Sequence, residues 1–241
     1  MTEKQKLSQK LAEEAPAIKS ALGFWEKYSK QIIYVSAAII ILGGGYFFYK
    51  YWVVEPKNTK ANDTVFQLQA LYEEMINSQT DSARITLADK VLNGDAQSTG
   101  AIKFMSRNSG TDAANLARFY AGRAYIEKGD FKNAIKQLKE FKANGVTQVG
   151  SAALKLLGDA YMMDNQKDKG AETYKEAGTL NEKDENFSSE CLYYAAQAYE
   201  TLGKNDEAVK LYQIIKEKYP KTQRGFSADK YLARLGVINN D

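Results

Sequence analysis

The side chains that could do chemistry here are few in kind. Cys191 is the only thiol, and histidine is absent. A thiol becomes a nucleophile when a base or cation beside it favours the thiolate. The commonest such base, imidazole, is missing. A Ser-His-Asp triad, a Cys-His pair and a Cys/His zinc site are therefore excluded. Acid–base work would fall to Asp/Glu, Lys, Tyr or Cys191 alone. Asp184 and Glu185 stand in "NEKDEN", which reads as a solvated loop rather than a paired acid and base. Cys191 falls in an apolar helical stretch and reads as core. The expectation is no enzyme, no cofactor and no metal ligand set.

The chain of 241 residues is long enough for one or two domains. Lys plus Arg number 33 against 30 Asp plus Glu, which leaves no electrostatic footprint for nucleic acid. One cysteine allows no intrachain disulfide. Only three prolines occur, and alanine is frequent, so the composition favours an all-helical protein.

The most apolar segment is "SAAIIILGGGYFFYKYW", residues 36–52. From Gln31 to Tyr49 there are 19 residues without a charge, bounded by Lys30 and Lys50. A helix needs about 20 mostly apolar residues to cross a bilayer. Phe24, Trp25 and Tyr28 lie before this stretch, and Tyr46, Tyr49, Tyr51 and Trp52 at its end, as interfacial aromatic belts do. Trp25 and Trp52 stand 27 positions apart, about 40 Å along a helix. A cleaved signal peptide fits poorly, because the leader is long and no small-x-small site follows. Gly43, Gly44 and Gly45, with Ala37 and Ala38, could offer a docking strip for a second helix, although no strict G-x-x-x-G spacing is present. Flanking charge is level, with Lys19, Lys27 and Lys30 against Lys50, Lys57 and Lys60. The order of the parts, a short leader and then a large domain, reads as a signal-anchor with the C-terminal part outside. In the leader, Leu7, Leu11, Ile18, Leu22 and Trp25 fall at helical spacing, and Pro16 interrupts them.

Past the anchor, Pro56 predicts a kink or short linker over 53–62. Val65, Leu68, Leu71, Tyr72, Met75 and Ile76 line one helix face, and Ile85, Ala88, Val91 and Leu92 a second. These belong to an atypical N-terminal region, 63–110. Three copies of one pattern then fill 111–220. Gly122-x-x-Tyr125 aligns with Gly158-x-x-Tyr161 and Ala196-x-x-Tyr199, at a period of 36 and then 38. Nine residues after each tyrosine stands Ala134, Gly170 or Ala208, and four later Leu138, Tyr174 or Tyr212. Gly or Ala is needed where paired helices cross closely, and stacked hairpins share one continuous core. Gly129 and Gly203 end first helices, and Asp130 caps a second one. The pattern resembles the tetratricopeptide repeat (TPR). The second copy departs at Asn165, Lys167 and Gly170, which predicts a looser second helix. The fold expected is all-α, with one N-terminal transmembrane helix (31–52) after a cytoplasmic leader (1–30), then a TPR-like α-solenoid closed by a capping helix and tail (221–241).

The resemblance implies a concave face built from the first helix of each hairpin. Its residues would be Leu116, Phe119, Arg123 and Ile126 in the first copy. Lys155, Asp159 and Met162 follow in the second, and Tyr193, Gln197 and Glu200 in the third. Such a face suits a peptide or partner helix. Phe119, Asp159 and Glu190 replace the basic or amide groups of a carboxylate clamp, so capture of a chaperone tail is not expected. The layout, with "LADKVLNGDAQSTGAIKFMSRNSGTDAANLARFYAGRAYIEKGD", also resembles the ancillary subunit family of the bacterial Sec translocon. That resemblance implies an inner-membrane protein with a periplasmic C-terminal domain. Its partners would be the Sec channel and a membrane-anchored periplasmic chaperone, with the lipid bilayer around one helix. Neither nucleic acid nor a small-molecule substrate is expected. A scaffold subunit of another envelope complex, for cell division or secretion, is the alternative.

Overall fold

The computed structural model describes residues 2–237, with side chains for all of these except 3–23 and 26. Among the described residues the regular structure is helical, with one isolated antiparallel bridge between Gly94 and Thr99. The chain divides into two compact units after Pro56.

The first unit is α1 (Glu3–Tyr49) followed by a π-helical turn (Lys50–Val54). The expected interruption at Pro16 does not end the helix. Proline removes one backbone donor there, and the helix continues on both sides. The predicted leader stripe Leu7, Leu11, Ile18 and Leu22 lies outside the described side chains. Ile40, Ile41 and Leu42 are 71%, 71% and 74% exposed. A soluble core helix would bury such residues, whereas these described side chains of α1 are exposed. The helix is long and apolar enough to span a membrane. The π turn has a local cause. Pro56 cannot donate to the carbonyl of residue 52, and its ring presses on that carbonyl. The Glu55 N–H instead reaches back five residues to the Lys50 carbonyl. The expected linker over 53–62 is therefore helical, because Pro56 sits in the first turn of α2 (Glu55–Ile76), where a missing N–H costs little.

The second unit is a stack of helical hairpins. Ala61, Val65, Leu68 and Met75 of α2 join Leu87, Ala88, Val91 and Leu92 of α3 (Asp81–Asn93) and Phe104 of α4 (Ala101–Arg107) in one core. Three hairpins follow: α5 (Asp112–Glu127) with α6 (Phe131–Glu140), α7 (Thr147–Met163) with α8 (Lys167–Leu180), and α9 (Glu185–Thr201) with α10 (Asn205–Lys218). Each helix packs on the next. Two short helices, α11 (Gln223–Phe226) and α12 (Ala228–Arg234), close the stack. Thr80, Thr111, Asp130, Asp184 and Thr222 accept N–H bonds at helix starts, which satisfies donors that a helix leaves open.

The repeat glycines sit at close crossings. A Cβ on Gly122 would lie 2.5 Å from Leu138 Cγ, and one on Gly158 would lie 2.6 Å from Tyr174 Cδ1. The hairpin turns use left-handed backbone: Gly129 and Gly203 have φ of 74° and 73°, and Asn165 takes the equivalent place at 59°. Asparagine tolerates this region better than other side chains. The departure at Asn165 thus keeps the hairpin turn of the second copy. Its α8 has 14 residues, whereas α6 in the copy nearest the repeat pattern has 10. The shortening follows from "FKANGV". Asn144 and Gly145 turn the chain at φ 48° and 85°, and Asn115 holds the strand-like segment through two bonds with the Lys142 backbone, 2.7 and 2.9 Å.

Candidate protein-binding surface

The residues expected on the concave face divide into two groups. In the first copy they border the core. Leu116 and Phe119 pack against the α2–α5 core, and Ile126 packs with Leu138, Leu156, Leu157 and Tyr161. The Phe119 ring centroid is 5.7 Å from that of Phe141 and 6.0 Å from that of Tyr72. The chain thus fills this end of the groove with its own aromatics. Arg123 is committed to Glu127, with Nε 2.7 Å from Oε1.

The C-terminal half keeps an open cleft. It has a volume of ≈440 Å³ and is lined by Met162, Tyr174, Tyr194, Gln197, Ala198, Glu200, Thr201 and Arg234. Lys155 Nζ is 2.9 Å from Asp159 Oδ2 and 5.3 Å from the Tyr194 ring centroid. The Tyr174 hydroxyl donates to Asp159 Oδ1 at 2.7 Å. Glu200 accepts from the Tyr212 hydroxyl and from Arg234 Nη2 at 2.6 and 2.9 Å. Tyr193 lies under the Arg224 guanidinium, 3.7 Å from ring centroid to Cζ, and accepts from Gln197 Nε2 at 2.7 Å. Arg224 also grips Glu190 with two bonds, 2.7 and 2.9 Å.

Protonation follows from these contacts. Hydrogen bonding from Arg224 holds the Glu190 carboxyl below its usual range. The Tyr194 phenol is pushed up to about 12, first by its bond to Glu190 and then by burial. Burial, then Asp159, raises the Tyr174 phenol, while burial and the bond to Glu200 raise that of Tyr212. These phenols stay protonated and act as donors to carboxylates. Burial pushes the Cys191 thiol up to about 12, which disfavours the nucleophilic thiolate. Among the described residues no group of three or more His, Cys, Asp or Glu is placed to hold a metal ion. The surface offers aromatic faces, a thioether and fixed hydrogen-bonding groups, which is the chemistry of recognition.

Sequence reasoning missed Tyr194, Arg224 and Arg234. One signal could have found the arginines. Glu190 pairs with Arg224 and Glu200 with Arg234, each 34 residues on. Asp168–Lys204 and Glu182–Lys218 repeat this at 36. Opposite charges one repeat apart in sequence meet across successive hairpins. At Gly43, Gly44 and Gly45 an added Cβ would meet nothing within 4 Å, so the small-residue strip of α1 is open.

Comparison with known proteins bears on the fold. A model of the tetratricopeptide repeat family matches residues 116–144 and 190–222, the first and third copies. The crystal structure of nearly identical TPR-like repeats ascribed to a Podosopora anserina kinesin light chain is similar. It is 18% identical in sequence, with a TM-score of 0.52, covering 73% of this chain and 85% of that one. At that identity the likeness speaks for the fold alone. No curated protein matches the sequence. Residues 116–144 and 190–222 thus match the tetratricopeptide repeat, and the second unit has the fold of a TPR-like α-solenoid.

Proposed function

We propose that the chain is a membrane-anchored adaptor or scaffold that holds a protein segment in the cleft between Met162 and Arg234. One observation carries this reading. The groove is filled by Tyr72 and Phe141 at its first-copy end, but stays open where Tyr174, Tyr194, Gln197 and Glu200 line it. Half-buried tyrosines and arginines with settled hydrogen bonds lose little freedom on binding, and they are typical interface anchors. The exposed apolar side chains of α1 support a transmembrane anchor, with Gly43, Gly44 and Gly45 available to a partner helix.

The narrower reading is an inner-membrane protein with a cytoplasmic N-terminus and a periplasmic solenoid, serving the Sec translocon or its periplasmic chaperones. It is supported by the order of leader, apolar helix and repeat domain. The same order serves a scaffold of another envelope complex, and the partner captured decides between them. A photo-crosslinking residue at Gln197 should capture a protein in native membranes, whereas one at Lys136, on exposed α6, should not. Equal capture at both sites would refute the cleft. A periplasmic reporter fused after Asp241 should be active, and a silent one would refute the periplasmic placement.

A further inference from the structure

We propose that the first turn of α2 and the end of α4 form a basic collar that binds anionic lipid headgroups. The proposal rests on the reading of α1 as a membrane span. Two contacts bring the parts of the collar together. Lys57 Nζ donates to the Ser109 carbonyl at 2.6 Å, and the Asp112 N–H donates to Asn58 Oδ1 at 3.2 Å. The turn after α4 is thereby fixed to the start of α2. Lys57 and Lys60 stand one turn apart on α2, and Lys103 and Arg107 one turn apart on α4, all exposed. Arg107 is only two residues from Ser109.

The cluster joins unpaired basic side chains from two elements that contact one another. Arg84, Arg118, Arg123, Lys128, Lys155, Lys204, Arg224 and Arg234 all have carboxylate partners. Among the described residues Lys60, Lys103 and Arg107 have none, and Lys57 bonds a neutral carbonyl. Glu55, Asp63 and Asp112 are the exposed acids nearest in sequence; Glu55 is engaged in an interaction of its own, and Asp112 Oδ1 already accepts from the Asn144 amide at 3.2 Å. The chain itself places the collar near the bilayer. Lys57 follows the interfacial Trp52 by five residues, so even a fully extended chain holds it within about 18 Å. Anionic headgroups attract basic residues over roughly a Debye length of the surface. The partner with the matching charge, within reach by covalent connection, is the membrane surface beside the anchor. The lysines of α6 (Lys132, Lys136 and Lys139) are also unpaired and exposed, but no contact ties them to the start of α2. They serve as the control.

The test uses the full chain in liposomes of phosphatidylcholine, alone or with about 30% phosphatidylglycerol. A fluorophore on Ser106→Cys, which is exposed between Lys103 and Arg107, reports quenching by headgroup-labelled lipid, while Cys191 is buried. Quenching should rise severalfold with the anionic lipid and fall again at about 0.5 M salt. Lys103→Glu with Arg107→Glu should abolish the rise, with helix content unchanged by circular dichroism. Lys132→Glu, Lys136→Glu and Lys139→Glu together should leave it intact. Quenching independent of lipid charge in a chain that resists alkaline extraction would overturn the collar alone. Loss of the rise only in the α6 variant would overturn it too. A chain washed off at alkaline pH would overturn the membrane span, and the collar with it.

Discussion

Gly122 and Glu190 show how much single residues decide in this fold. Gly122 exists for a crossing. A side chain there would drive into Leu138, which is itself 4% exposed. Gly122→Leu should cost about 1–3 kcal/mol or more. For a domain of this size that lowers the melting temperature by roughly 2–4 °C per kcal/mol. An unchanged melting curve would mean that the repeat register is wrong. Glu190 acts through charge. Arg224 holds its folded-state pKa below the unfolded value of about 4.3. Its contribution is therefore present above that pH and is lost as the pH falls through the folded value. The pair is partly exposed and screened, so Glu190→Gln should cost no more than about 1 kcal/mol at pH 7. The difference in melting temperature from wild type should shrink as the pH drops below about 4. A difference constant from neutral to acid pH would remove Arg224 as its cause.

At the scale of elements, α6 and the loop after it shape the groove. The loop 141–146 carries Phe141 back against Phe119, and Asn115 pins it through both atoms of its amide group. Asn115→Ala should cost about 0.5–1.5 kcal/mol, because two exposed hydrogen bonds to the Lys142 backbone are lost to water. Hydrogen exchange should then quicken in 141–146 and stay slow in α9 and α10. Quickening throughout the solenoid would mean that the loop is not a separate unit. Such loops also mark where the sequence was legible and where it was not. The α5, α7 and α9 cores could be read because Gly122, Gly158 and Ala196 recur at fixed spacing with their tyrosines. The filling of the groove by Phe141 could not. It depends on α6 stopping at Glu140, which the repeat pattern does not encode. Pro56 was misleading for a related reason. Proline excludes itself from a helix interior but not from a first turn, and the preceding π turn absorbs the mismatch. In the open cleft, Met162, Gln197 and Glu200 were readable from the first helices. Arg234 was not, nor was Arg224 beside Tyr193, since both come from caps that lack the repeat signature.

For the whole molecule, the helix α1, with exposed apolar side chains, is followed by a solenoid that has an open cleft in its C-terminal half. Under the proposed anchoring, a tethered cleft would gain from effective concentration even where its own contact is weak. The most direct measurement is the amount of protein partner that co-purifies from native membranes in mild detergent. Wild type would be compared with a Gln197→Arg, Thr201→Arg double variant, both side chains being exposed in the cleft. Melting temperature would be measured alongside to confirm intact folding. The account predicts unchanged melting and a loss of partner of about tenfold or more, equivalent to at least ~1.4 kcal/mol. Full retention of partner by the correctly folded variant would contradict it.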